Sequence, residues 1–149
     1  MREEHVTKAL LKWLIDNDWE IICFDFPQSG TGRLLHPNGA NEKNKGAINP
    51  DIVAVRDQVC LFFENKDRFY LPDYEKVHDL IVDNQYTDAI AILLSGHKVK
   101  DFYYGIGLPA DKHKVKSKES AVLVNFILGV SEDNSISVLY NPIGISFQK

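Results

Sequence analysis

The sequence predicts an α/β protein built on one mixed β-sheet flanked by helices. Residues 3–16 repeat apolar side chains at helical spacing, whereas residues 51–55 and 58–66 are short apolar runs rich in β-branched and aromatic residues, as in adjacent strands. Further helical and strand-like stretches follow along the chain. At 149 residues the chain can bury a sizeable core without disulfides, so we expect a single domain over residues 1–149.

The composition excludes disordered and fibrous proteins, because 44% of the residues are hydrophobic and 26% are charged. No stretch approaches the ~18 apolar residues of a membrane span, and no secretory signal is visible at the N-terminus. We therefore expect a cytoplasmic protein without a membrane partner. Cys23 and Cys60 lie in strand-like runs, away from any Cys-His cluster, which favours buried thiols over a zinc site.

The first predicted helix has an apolar stripe at Val6, Leu10 and Leu14, the spacing of a face that packs on a core. Glu3 lies on the same face, whereas Glu4 falls toward the edge of the stripe. An acid in a first helical turn has a purely structural explanation, because it complements the helix dipole. The inward position of Glu3 also allows it to reach a functional site.

A strand predicted over residues 19–26 is followed by an unusually long stretch without periodicity, residues 28–47. Such stretches in compact domains are uncommon and are usually functional or mobile. Three basic side chains, Arg33, Lys43 and Lys45, make this one suitable for gripping a phosphate backbone. The alternative is an ordinary surface excursion.

The apolar runs at 51–55 and 58–66 are separated by the polar pair Arg56-Asp57, which predicts a β-hairpin with a tight turn. In such a hairpin the start of one strand lies beside the end of the next, so Asp51 and Glu64 should meet at one end of the sheet. Close carboxylates repel each other unless a proton or a cation lies between them. A divalent metal ion is the natural occupant.

Lys66 follows Glu64 by two residues, so both side chains should point to one face of the strand while Asn65 points away. Lys66 would then stand beside the metal ion rather than bind it. An ammonium group there can orient an attacking water or help to deprotonate it, and can stabilise charge that develops on a phosphate.

Pro50-Asp51, with Glu64-Asn65-Lys66 thirteen residues after the aspartate, resembles the PD-(D/E)XK motif of type II restriction enzymes, Holliday junction resolvases and related DNA repair nucleases. The resemblance covers roughly residues 1–95. It implies a restriction endonuclease-like core and magnesium-dependent phosphodiester cleavage, with Mn²⁺ as a substitute ion. Asp51 and Glu64 would be metal ligands, joined by the backbone carbonyl of Asn65, and Lys66 would be the third catalytic residue.

The same resemblance gives the first helix a second role. Family members place an extra acid on this helix, where it reaches the metal ion or its water. Glu3 is the first choice for that acid and Glu4 is the second.

A second helix is predicted over residues 74–83, with Asp73 as its N-cap. Lys76 and His78 lie off its apolar stripe, which favours solvated side chains over substrate contacts. Residues 87–94 are almost continuously apolar, and we interpret them as a central strand that is covered on both faces.

Residues 102–108 are predicted as another strand, in which Tyr103 and Tyr104 pack on the sheet. Residues 121–130 and 135–140 form a second predicted hairpin. The lysine-rich residues between these strands are predicted to be a loop.

The net charge of −4 counts against a protein whose whole surface binds nucleic acid. Positive charge is nevertheless concentrated between residues 97 and 118. This segment contains six lysines and two aspartates, which gives it a net charge of +4. We therefore assign DNA contacts to Lys112, Lys114 and Lys116 in addition to the three basic residues of the long stretch.

The sequence as a whole predicts a magnesium-dependent deoxyribonuclease that acts on double-stranded DNA, as a homodimer with one active site for each strand. A restriction enzyme and a repair or recombination nuclease fit equally well, and DNA is not distinguished from RNA. The alternative is a non-catalytic domain of the same fold that binds nucleic acid or a protein. Motifs of other enzyme classes, such as Gly-x-Ser-x-Gly or His-Glu-x-x-His, do not occur.

Overall fold

The computed structural model describes residues 1–25, 35–38 and 47–149. In these ranges the chain forms six strands and four α-helices, which occur in the order α1 Glu3–Asp16, β1 Glu20–Phe24, β2 Ile52–Arg56, β3 Val59–Asn65, α2 Leu71–Val82, α3 Thr87–Leu93, β4 Asp101–Pro109, α4 Val115–Ser120, β5 Phe126–Val130 and β6 Ile136–Tyr140. Two short 3-10 turns, Ala110–Lys112 and Ala121–Leu123, flank α4.

The six strands form one open mixed sheet in the order β1-β2-β3-β4-β5-β6. The pairs β3–β4 and β4–β5 are parallel, and the other neighbours are antiparallel. The crossover between the parallel strands β3 and β4 contains α2 and α3, as parallel connections require. The predicted single-domain α/β fold with a mixed sheet is therefore confirmed, and so are both predicted hairpins.

Helices cover both faces of the sheet. The stripe of α1 packs against one face, where Val6, Leu10 and Leu14 are fully buried in a cluster with residues of β2, β3 and β5. On the other face, one further cluster joins the sheet to α3, and another joins it to α2 and the turn Ala121–Leu123. Cys23 and Cys60 are both buried, as predicted. None of the helices in the described residues is long and apolar enough to span a membrane.

The predicted central strand at residues 87–94 is wrong, because this segment forms helix α3. Its apolar side chains are not all covered: Ile92 is 77% exposed, whereas Tyr86 and Leu94 are buried. No residue of α3 itself is fully buried; its half-buried Ala89, Ile90 and Leu93 pack on the sheet together with the flanking Tyr86 and Leu94, at a helical spacing that a short continuous apolar run does not reveal. The centre of the sheet is instead formed by β3 and β4.

Two predictions next to the sheet also need correction. Asp73 is not the N-cap of α2, because the helix begins at Leu71 and Tyr70 caps it. Pro72 lies in the first turn, where the missing backbone N–H is not needed. The predicted lysine-rich loop contains the turn Ala110–Lys112 and helix α4, and the strand predicted over residues 121–130 begins only at Phe126, after the turn Ala121–Leu123. Tyr104 packs on the sheet as predicted, stacked on Phe62 at 4.8 Å between ring centroids.

The C-terminal residues are held to the α1 side by Arg56 at the end of β2. One guanidinium nitrogen, Nη1, donates to the backbone carbonyls of Asn17 at 2.7 Å and Phe147 at 2.9 Å, and Nη2 donates to that of Ser146. The guanidinium also lies over the Trp19 ring, 4.6 Å from its centroid. The side chain thus joins three parts of the chain that are distant in sequence.

Candidate active site at the ends of β2 and β3

The hairpin places Asp51 beside the end of β3. Asp51 directly precedes β2, and its backbone N–H donates to the carbonyl of Phe63 at 2.9 Å. Its side-chain Oδ2 accepts a hydrogen bond of 2.7 Å from the backbone N–H of Asn65. Glu64 lies between these two partners, so both carboxylates occur at the same end of the hairpin, as the turn length predicts.

Side chains alternate at the end of β3 as expected for a strand. Lys66 Nζ lies 3.9 Å from Glu64 Oε1, so these two side chains share a face. Asn65 is fully buried on the opposite face, where its Nδ2 donates to Thr7 Oγ1 of α1 at 3.0 Å. Thr7 is one helical turn beyond Glu3, so this bond fixes the Glu3 face of α1 against the site.

Of the two acids at the start of α1, Glu3 is the one near the site. Burial raises the pKa of Glu3, which also experiences the charges of Lys66, Asp67 and Asp73. Glu4 instead pairs with Lys8 at 2.8 Å, one turn further along the helix. The preference for Glu3 over Glu4 as the additional acid of the site stays a prediction.

Helix α2 supplies two charged side chains that the sequence did not assign to the site. Asp73 Oδ1 lies 3.8 Å from Lys66 Nζ, and Lys76 Nζ lies 3.6 Å from Glu64 Oε2. Asp73 is only 8% exposed, and its Oδ2 has no hydrogen-bond partner in the part of the chain that the structure describes. The sequence signal was their spacing. Asp73 and Lys76 are three residues apart near the start of the helix, so their side chains lie on the same face.

Burial and like charges raise the pKa of both strand-end carboxyls. Desolvation raises the pKa of Asp51 to about 8; the charge of Glu64 adds to the effect, and the hydrogen bond from Asn65 opposes it. Burial also raises the pKa of Glu64, although Lys76 and Lys66 oppose the change. At neutral pH Asp51 therefore holds a proton unless another cation takes its place.

Lys66 stays protonated in this surrounding. Burial alone would lower its pKa, but the charges of Asp73, Glu3 and Glu64 outweigh burial and raise it. The side chain is therefore suited to act as a fixed ammonium group that attracts an anion. The predicted role of Lys66 in orienting water and stabilising phosphate charge stays a prediction.

The donor chemistry of the site fits a hard divalent cation. Mg²⁺ prefers oxygen ligands, keeps several waters and is often held by only one or two carboxylates. The lysine ammonium groups lie 3.6 and 3.9 Å from the Glu64 oxygens, beyond the length of a charge-assisted hydrogen bond. Across residues 1–25, 35–38 and 47–149, no three His, Cys, Asp or Glu side chains converge closely enough to hold an ion.

Comparisons with known proteins identify no relative. Neither the family models, nor the curated proteins, nor the solved structures contain a match to this chain. The function must therefore be argued from the chemistry of the site.

The predicted DNA-binding residues fall into two groups. Arg33, Lys43 and Lys45 lie outside the described residues. Lys112, Lys114 and Lys116 are exposed around the start of α4, where they line an open groove together with Phe69. Phe69 follows Lys66 by three residues, so the groove adjoins the chain segment that carries the site.

Proposed function

We propose that this protein is a metal-dependent DNA endonuclease of the PD-(D/E)XK type. One observation carries the proposal: Asp51 and Glu64 lie together at the hairpin end, and burial and mutual repulsion raise the pKa of Asp51 to about 8. Strongly shifted carboxyls that a fold brings together are typical of functional sites. Lys66 on the same face completes the combination that the motif requires.

Asp51 and Glu64 would hold Mg²⁺ or Mn²⁺, together with the backbone carbonyl of Asn65. When bound, such an ion would polarise the phosphate and lower the pKa of a coordinated water. Lys66 would bind a phosphate oxygen and stabilise the charge that develops there. Glu3, on the fixed face of α1, would orient water at the edge of the site.

The test is incubation of supercoiled plasmid with the protein and Mg²⁺, with Ca²⁺ as the non-supporting control ion. We expect nicked and linear products, and a loss of about 10²–10³-fold in rate for Glu64→Gln, the range for removal of one group that stabilises the transition state. Asp101→Asn is the matched control, because Asp101 is exposed at the start of β4. Cleavage by Glu64→Gln at the wild-type rate would exclude this site.

A non-catalytic domain that binds nucleic acid or protein is the second candidate. It is favoured by the ion pairs of the site, because each Glu64 oxygen already faces a lysine and Asp73 faces Lys66. In that case the charges would stabilise the fold alone. The protein would then bind DNA equally well with and without Mg²⁺ and would leave the plasmid intact.

An enzyme that cuts both strands of a duplex in one binding event uses one active site for each strand, and we therefore propose a symmetric homodimer. We also propose that the protein is cytoplasmic. Light scattering after size-exclusion chromatography would show about twice the mass of the chain. A monomeric protein that linearises plasmid only through successive nicks would contradict the dimer but not the nuclease.

A further inference from the structure

We propose that the groove beside α4 binds a single-stranded segment of DNA. This groove, called here the lysine groove, has a volume of about 320 Å³ and is lined by Phe69, Lys112, Lys114, Val115, Lys116 and Ser117. Its size is at the lower end of the range of about 300–1,000 Å³ for small-ligand pockets, which suits one base of a longer strand. The inference deepens the proposed function by naming the substrate as DNA that contains an unpaired segment.

The three lysines of the groove are free to bind an anion. All three are exposed, and among the described residues none of their ammonium groups lies within 4 Å of a carboxylate. In contrast, Lys12 on α1 is paired with Asp16 at 2.6 Å. The groove therefore has a concentration of uncompensated positive charge, which suits a phosphate backbone.

The floor of the groove is formed by buried side chains that are hydrogen-bonded to each other. The Ser117 hydroxyl is hydrogen-bonded to both the Tyr74 hydroxyl and His113 Nδ1, at 2.7 Å in each case, and Ser117 and Tyr74 are each 1% exposed. The ring of Phe69 packs edge-on against Tyr74, with 5.0 Å between the centroids. These contacts attach the lysine-bearing segment to α2, and they hold its position before any ligand binds.

The same contacts join the groove to the candidate active site. Tyr74 directly follows Asp73, whose carboxylate faces Lys66. One turn of α2 therefore holds both the active-site lysine and the groove. A strand bound in the groove would lie beside the site, not on a remote surface.

An aromatic side chain among lysines favours an unpaired strand over a duplex. Bases in a duplex are already stacked on each other, whereas a base in a single strand can stack on a protein ring. Phe69 offers the part of its ring that lines the groove, and Val115, which is 68% exposed, adds apolar surface next to it. Lysines alone would bind both forms of DNA through their phosphates.

The test is fluorescence anisotropy with a labelled 12-nucleotide strand and with a blunt duplex of the same sequence, both in EDTA so that no cleavage occurs. We expect tighter binding of the single strand. Phe69→Leu should weaken single-strand binding about tenfold, within the range for one base-aromatic stack, and should leave duplex binding unchanged. Phe69→Tyr retains the ring and should bind normally, which separates loss of stacking from loss of folding.

Replacing Lys112, Lys114 and Lys116 with Gln should lower the log-log salt slope for the single strand by about 2, at about 0.7 for each phosphate. The matched control replaces the exposed lysines Lys98 and Lys100 with Gln; it should leave the slope unchanged. Equal affinity for both DNA forms, a Phe69→Leu variant that binds normally, or equally effective competition by poly-glutamate would overturn the proposal.

These experiments distinguish failure of the groove proposal from failure of the nuclease proposal. Groove-dependent binding of the single strand without plasmid cleavage would support the groove and contradict the nuclease. Plasmid cleavage with groove variants that bind normally would do the reverse.

Discussion

Replacing Asp51 with Asn should stabilise the metal-free protein at high pH. Asp51 has a pKa of about 8 in the fold, compared with an ordinary value of 3.8. At about 1.4 kcal/mol for each pKa unit, this difference is equivalent to an upper limit of about 6 kcal/mol. Water and the nearby ammonium group of Lys66 screen part of the repulsion, so we expect a gain of about 2 kcal/mol. The Asn oxygen can still accept the hydrogen bond from Asn65.

The sign of the effect depends on pH. Because the pKa of Asp51 is raised in the folded state, the folded protein binds more protons than the unfolded chain between about pH 4 and pH 8. The wild-type protein therefore loses stability as pH rises through this window. Asp51→Asn has no carboxyl group at this position, so its stability does not fall for this reason. At pH 4 both side chains are neutral, and the two proteins should be equally stable.

Thermal unfolding in EDTA at pH 4, 7 and 9 measures this difference. A gain of about 2 kcal/mol corresponds to an increase in Tm of about 4–8 °C for a chain of this size. The exposed control Asp101→Asn should show the wild-type pH dependence. A variant less stable than wild type at pH 9, or a gain equal at pH 4 and pH 9, would show that the Asp51 carboxylate is not destabilised in the fold.

Two further predictions concern Lys66 and Arg56. Lys66→Ala should lose most plasmid cleavage but keep wild-type or tighter Mg²⁺ binding in calorimetry, because the ammonium group faces the carboxylates without ligating the ion; a large loss of Mg²⁺ affinity would make Lys66 structural. Arg56→Ala should lower the free energy of unfolding, measured in urea, by about 2–4 kcal/mol, because several backbone carbonyls lose their charged hydrogen-bond donor. A change below about 0.5 kcal/mol would contradict the role of Arg56 in holding the C-terminal residues.

The parts of the structure that the sequence predicted well are those set by local spacing. The stripe of Val6, Leu10 and Leu14 predicts α1, and the short polar turn between two apolar runs predicts the β2–β3 hairpin. The hairpin in turn predicts that Asp51 and Glu64 meet, because strand pairing alone fixes which residues lie opposite each other.

The remaining features depend on contacts between segments that are distant in sequence. Helix α3 is as apolar as a buried strand, and only the exposure of Ile92 shows which face is covered. Asp73 and Lys76 belong to the site because α2 packs across the end of β3. Periodicity within a helix shows which residues share a face, but it does not show which charges a neighbouring strand presents to that face.

Calorimetric titration with Mg²⁺ at pH 7 measures whether a cation replaces the proton at Asp51. We expect saturable binding to the wild-type protein with release of about one proton, measured in buffers of different ionisation enthalpy, and tighter binding at pH 9. Asp51→Asn should release no proton and should bind weakly. Absence of Mg²⁺ binding at both pH values, or binding that Asp51→Asn leaves unchanged, would contradict a metal site at the ends of β2 and β3.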